Sequence, residues 1–178
     1  MENAYICAIC GERHEGLAMA FGSDAPEQWR RASDELRAEG ELTADQCILP
    51  LGDGGTGGDG GVGWFIRGQI ELNVADVDGE LFCWSVWVSL SKQNWMLQSE
   101  HWDDPEREKL NPMFAWLDTD LPGYETTTVA LPARLHTREP GMAPLIEIGS
   151  GSDHPLAREQ QNGITLHRIA ELNNLIRG

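Results

Sequence analysis

The sequence predicts an α+β domain: a largely antiparallel sheet with flanking helices and an N-terminal Cys-x-x-Cys knuckle. Three observations carry that expectation. Two long segments, Trp64–Val74 and Leu81–Leu90, alternate apolar residues around an Asp78-Gly79 turn, the pattern of a β-hairpin. Helical patterns with recognisable caps lie between and after the strands. Cys7 and Cys10 are separated by two residues and followed by Gly11, the spacing of a metal-binding turn.

The elements follow in chain order. Ala4 to Cys7 reads as a short strand entering the cysteine turn, and Leu17 to Phe21 as extended chain. Asp24 caps a helix with Pro26 in its first turn, running through Trp29 and Leu36 to Gly40. Gln46 to Leu49 is a strand. Gly52 to Gly63 is a glycine-rich flexible loop, with only Gly, Asp and Thr as far as Gly61, an insertion and not a domain boundary. It lacks the Gly-Lys-Ser/Thr ending and following helix of a phosphate-binding loop. After the hairpin, Ser91 caps a helix carrying Trp95, Met96 and Trp102. Pro112 to Leu121 is a short apolar segment read as partly helical. Thr126–His136 and Pro144–Ile148 read as strands. Asp153 caps a helix that Gly163 ends. Thr165 caps a last helix with an Ile169, Leu172, Ile176 stripe. No linker or repeat interrupts the chain, so residues 1–178 are expected to form a single domain.

Composition narrows the function classes. With 13 Lys+Arg against 29 Asp+Glu, the net charge is −16, spread along the chain. Such a field repels phosphate backbones, which disfavours nucleic acid, and attracts a basic protein partner. No apolar run reaches the ~20 residues of a membrane span. The first residues lack the basic and apolar regions of a signal peptide, so the expectation is a cytoplasmic protein whose four cysteines stay reduced.

The cysteine head holds the most distinctive chemistry. Thiolates are soft ligands, and tetrahedral zinc needs four donors. His14, four residues after Cys10, and Cys47 are the candidates to complete Cys7 and Cys10. Three readings compete: structural zinc, ordinary reduced cysteines, and a redox pair. The redox pair requires a helix opening at the motif, and the residues after Cys10 carry no such pattern. A zinc site through Cys47 would tie the first strand to the strand at Gln46–Leu49.

Two further groups of residues could carry function. Trp64, Ile66, Ile70, Leu72 and Val74 share one strand face with Phe82, Trp84, Val86, Val88 and Leu90, which marks a core. The opposite face carries Arg67, Glu71, Cys83 and Trp87. It reads as a binding face, as a solvated face with a cross-strand ion pair, or as a face covered by a helix. His154 and Glu159 with Arg67 could form a general acid/base group. The competing reading of Asp153-His154-Pro155 is a helix start. No serine-hydrolase elbow, zinc-protease helix or dinucleotide fingerprint occurs.

Several stretches resemble one bacterial family. They are Cys7-Ala8-Ile9-Cys10-Gly11-Glu12-Arg13-His14-Glu15-Gly16-Leu17, Phe21-Gly22-Ser23-Asp24-Ala25-Pro26, Phe65-Ile66-Arg67-Gly68, Trp84-Ser85-Val86-Trp87-Val88-Ser89-Leu90-Ser91 and Asp153-His154-Pro155-Leu156-Ala157-Arg158-Glu159-Gln160. The chain resembles the domain-of-unknown-function family numbered 2199. The resemblance implies a one-domain bacterial protein and no assigned activity. The glycine run looks like an expansion of a shorter family loop. The functional expectation is a non-enzymatic zinc-knuckle domain acting through protein binding, with a regulatory or toxin-neutralising role by analogy. The alternative is a small hydrolase-like enzyme around His154, Glu159 and Arg67.

Overall fold

The computed structural model describes residues 4–7, 9–52 and 61–178, so Asp53–Gly60 of the glycine run lies outside the described residues. It is an α+β fold with a core that is mostly sheet. In chain order the elements are β1 (Tyr5–Ile6), β2 (Arg13–His14), β3 (Ala20–Gly22), α1 (Glu27–Arg31), α2 (Asp34–Glu39), β4 (Glu41–Leu42), β5 (Gln46–Pro50), β6 (Val62–Asn73), β7 (Leu81–Leu90), α3 (Lys92–Glu100), β8 (Met113–Leu117), β9 (Pro132–His136), β10 (Leu145–Ile148), α4 (Pro155–Asn162) and α5 (Leu166–Arg177).

The β6–β7 hairpin is the spine. Its register runs from Trp64 opposite Leu90 to Asn73 opposite Leu81. Gly79 takes φ +78° in the turn, and Val74 N–H donates to the Glu80 carbonyl at 3.0 Å. From β6 to β10 each strand runs antiparallel to the one before. Five such strands leave the first and last pointing the same way, so the ring closes through a parallel pair, Leu145 opposite Gln69. The result is a five-stranded barrel. Both outer edges of the hairpin are shared. β7 takes β3 at Cys83–Ser85 and β8 at Val88–Ser89, while β6 takes β5 at its start and β10 further along.

Strand alternation divides the hairpin between two cores. Ile66, Ile70, Leu72, Phe82, Trp84, Val86 and Val88 point into the barrel with Met113, Leu135 and Ile146. α4 and α5 plug it with Leu156, Ile169 and Leu172. On the other face Phe65 and Trp87 pack with Cys47 and Leu49 under Trp29 and Leu36.

Several sequence expectations shift. The helix expected from Pro26 to Gly40 is two helices. Ala32 is extended, and Ser33 caps the second by accepting from Leu36 N–H at 3.3 Å. The Pro112–Leu121 segment is strand β8, with Met113, Ala115 and Leu117 buried and Phe114 and Trp116 exposed. Its outward residues are aromatic, so no polar alternation betrays the strand. Of Thr126–His136 only Pro132–His136 is strand, because Thr128 turns inward. Its hydroxyl donates to the Thr119 carbonyl at 2.6 Å and accepts from Leu121 N–H at 2.8 Å. No helix among the described residues is long and apolar enough to cross a membrane.

Gly68 lets β10 close the ring. A Cβ there would lie 2.7 Å from two side-chain carbons of Ile146 and 2.9 Å from the Pro144 carbonyl oxygen. Gly68→Ala therefore overpacks the closure and is expected to cost ~1–3 kcal/mol. Urea denaturation checks it: the midpoint should fall in Gly68→Ala and stay nearly constant in Gly151→Ala, where the added carbon meets nothing within 4 Å.

Candidate metal centre

The N-terminal residues fold into a hairpin of two paired positions, Tyr5 opposite His14 and Ile6 opposite Arg13. Its connection is the cysteine loop. Cys7 N–H donates to the Glu12 carbonyl, and Gly11 N–H donates to the Cys7 carbonyl, both at 2.8 Å. Gly11 adopts φ +75°, a conformation costly for other residues. The loop points Ile9 N–H at Cys7 Sγ, 3.4 Å away.

Across from this hairpin stands the first turn of α5. Thr165 caps the helix by accepting from Arg168 N–H at 3.1 Å, and Ile169 and Leu172 anchor it in the barrel. Asn173, buried on the same helix, grips the N-terminal segment. It accepts from Ala18 N–H at 2.8 Å and donates to the Ala18 carbonyl at 3.0 Å. Arg177 donates to the Gly16 carbonyl at 3.0 Å.

This clamp brings His167 to the cysteines. Its Nδ1 lies 3.4 Å from Cys7 Sγ, and Cys10 Sγ lies 3.4 Å from His14 Nε2. The donor atoms of Cys7, Cys10, His14 and His167 all fall within 4.8 Å of one another, close enough to hold a metal ion. The far ring nitrogen of His167, Nε2, faces the Glu171 carboxylate at 3.6 Å. A carboxylate in that position fixes the ring and raises the basicity of the ligating nitrogen. Cys7 is the buried member, and its thiol is lowered to about 6. The Cys10 N–H stabilises the thiolate most, desolvation opposes, and the Ile9 N–H and His167 add to the lowering.

The other sequence candidates lie elsewhere. Cys47 is outside the group. It is buried in β5 between Leu42 and Phe65, and burial, with Asp118 nearby, pushes its thiol up to about 12. It is a protonated core thiol, and the cysteine loop meets helix α5 instead of the strand at Gln46–Leu49. Cys83 is half-buried, with its thiol also raised by burial.

Trp87 is fully buried and closed to a partner, while Arg67 and Glu71 are half-buried. α1 and α2 cover the Trp87 end of this face, as the Trp29 and Leu36 contacts show. Arg67 and Glu71 do not pair: Arg67 Nε donates to Ser85 Oγ at 2.7 Å, and Glu71 meets Arg138 at 2.6 Å.

His154 is the N-cap of α4, the position expected for Asp153. Leu156 N–H donates to its Nδ1 at 3.1 Å, which leaves the proton on Nε2 to donate to the Thr126 carbonyl at 2.9 Å. Both ring nitrogens are spent on backbone. Glu159 accepts from Tyr124 and pairs with Arg168 at 3.2 Å, and burial with the nearby Glu159 charge raises the Tyr124 pKa. Among the described residues, Arg67 shares no partner with either.

His167 escaped the sequence reading because it lies 160 positions from Cys7. One signal was present: Glu171 follows one helical turn later, placed to orient an imidazole.

An α+β barrel with a Cys/His group at its termini defines the class. The chain belongs to DUF2199, described as an uncharacterized protein conserved in bacteria; the family model matches residues 6–164. The match takes in Cys7, Cys10 and His14 and ends before His167. No curated protein and no solved structure matches the chain.

The two buried thiols should titrate far apart in metal-free protein. Thiolate absorbance is expected to rise with a midpoint near 6 for Cys7, with Cys47 silent until about 12. Because folding depresses the Cys7 pKa, its stabilising contribution is complete above the ordinary thiol range and is lost as pH falls through about 6. Cys7→Ser should erase the low transition; a transition that survives it contradicts the assignment.

Proposed function

We propose that this chain is a non-catalytic, protein-binding domain in which Cys7, Cys10, His14 and His167 hold a structural zinc ion. One observation carries the reading: four soft or borderline donors, drawn from both ends of the chain, converge within 4.8 Å. Tetrahedral zinc with Zn–S of about 2.3 Å and Zn–N of about 2.0 Å separates adjacent S and N donors by about 3.5 Å. Two of the four S···N pairs here, Cys7 with His167 and Cys10 with His14, stand at 3.4 Å. Four protein ligands fill the coordination shell and leave no open position for a substrate, which is the pattern of a structural ion.

The local fold supports the same reading. A hairpin of two paired positions has little stability of its own. Ile6 and Ile9 are exposed, so neither isoleucine holds the β1–β2 hairpin down. An ion bridging it to His167 would supply the missing anchor and join the N-terminal hairpin to α5. A catalytic group at His154 draws no support, since its nitrogens are committed to backbone and Arg67 has other partners.

Metal analysis of protein purified without added metal tests the proposal. The expected result is about one zinc per chain, lost in Cys7→Ser and His167→Ala and kept in Cys47→Ala. Chelation should lower the thermal midpoint of the native chain and leave His167→Ala unmoved. Less than about 0.2 zinc per chain, or full occupancy in His167→Ala, overturns it.

A further inference from the structure

Away from the metal centre, β8 turns Phe114 and Trp116 outward, 52% and 44% exposed, with their rings edge to face at 4.9 Å. Beside Trp116 lies a groove of about 410 Å³, bounded by β8, α1 and the chain before β9. Leu117 and Val129 give it apolar wall, and Glu27, Arg31 and Asp118 give it charge. An exposed aromatic pair at the lip of a groove is a common feature of recognition sites, where Trp is enriched among the residues that dominate binding.

The charges choose the occupant. Arg31 Nε already pairs with Glu27 at 3.1 Å. Asp118 is 3% exposed, and its oxygens accept from Gln28 N–H at 3.0 Å and from the Gln28 amide at 3.4 Å. A carboxylate has about four acceptor positions, so each oxygen keeps one. Burial disfavours its charged form, a penalty that a neighbouring cation would relieve. The lining thus has two acids against one base, within a chain of net charge −16.

We propose that this groove docks a lysine or arginine side chain of a basic partner protein. Its stem lies along Trp116 and its charged end reaches Asp118 and Glu27. A cation over an indole face gains from the ring quadrupole, and the net field steers a basic partner towards the surface. An acidic partner meets the same field as repulsion, and the groove's single cation is already neutralised. This inference rests on the protein-binding part of the proposed function and not on the zinc.

The test titrates the full chain, as purified, with an amidated hexa-arginine peptide at ~0.15 M salt, where exposed charges are largely screened. The readout is the Trp116 indole N–H signal in NMR, assigned from a Trp116→Phe spectrum. The Trp116 signal should move, hexa-glutamate should leave it still, and Trp116→Ala should weaken binding at least about tenfold. Glu27→Gln, a change in a surface ion pair, should weaken it in the same direction. A stationary Trp116 signal, or native-strength binding by Trp116→Ala, would show charge attraction without a site and overturn the proposal. Zinc content is independent of either result, so the two proposals fail separately.

Discussion

The ladder between β6 and β7 sets everything else in place. Its ten facing pairs send alternate side chains to opposite sides, one buried in the barrel and the other buried at its Phe65–Trp87 end. Ile66, Ile70, Trp84 and Val88 build the barrel interior, while Phe65 and Trp87 build a second core under α1 and α2. Slipping the register by one residue would exchange the two sets and put Arg67 and Glu71 into the barrel. The length of the hairpin matters as well. It is long enough for each outer edge to serve two strands, so the sheet closes through β8, β9 and β10 and still carries β3 and β5.

The proposed zinc site depends on that frame at one remove. α5 is held by Ile169 and Leu172 in the barrel, and its exposed side offers His167. Asn173 and Arg177, on the same helix, seize the backbone at Ala18 and Gly16. The cysteine loop is then delivered to a histidine whose far nitrogen already faces Glu171. Nothing in the loop alone supplies that histidine. The arrangement joins two segments that the sheet leaves unpaired with each other, which is where a metal crosslink adds the most constraint.

Legibility in the sequence followed the range of the interactions. The hairpin, its Asp78-Gly79 turn, the Ser91 and Thr165 caps and strand β5 are local patterns, and each could be read from a few residues. β8 could not, because Phe114 and Trp116 face outward and mask the alternation that defines it. The helix before Gly40 was read as one because the Ser33 cap lies inside an otherwise helical composition. Barrel closure was invisible, since it rests on a parallel contact between Leu145 and Gln69. The metal group divided the same way. Cys7, Cys10 and His14 lie within eight residues and were found, whereas the fourth position went to Cys47 on chemistry alone. Topology puts Cys47 in a core and His167 at the loop, and only the folded chain shows it. Trp87 carries a similar lesson: a tryptophan beside an arginine reads as a binding face until α1 and α2 cover it.

The proposed centre stands or falls with its ligand set. Zinc K-edge X-ray absorption on the native chain addresses it directly, because sulfur and nitrogen shells separate by distance. Two sulfurs at about 2.3 Å and two imidazole nitrogens at about 2.0 Å are expected. Three sulfurs with one nitrogen would restore Cys47 and contradict the geometry described, and a shell of oxygens alone would remove the centre altogether.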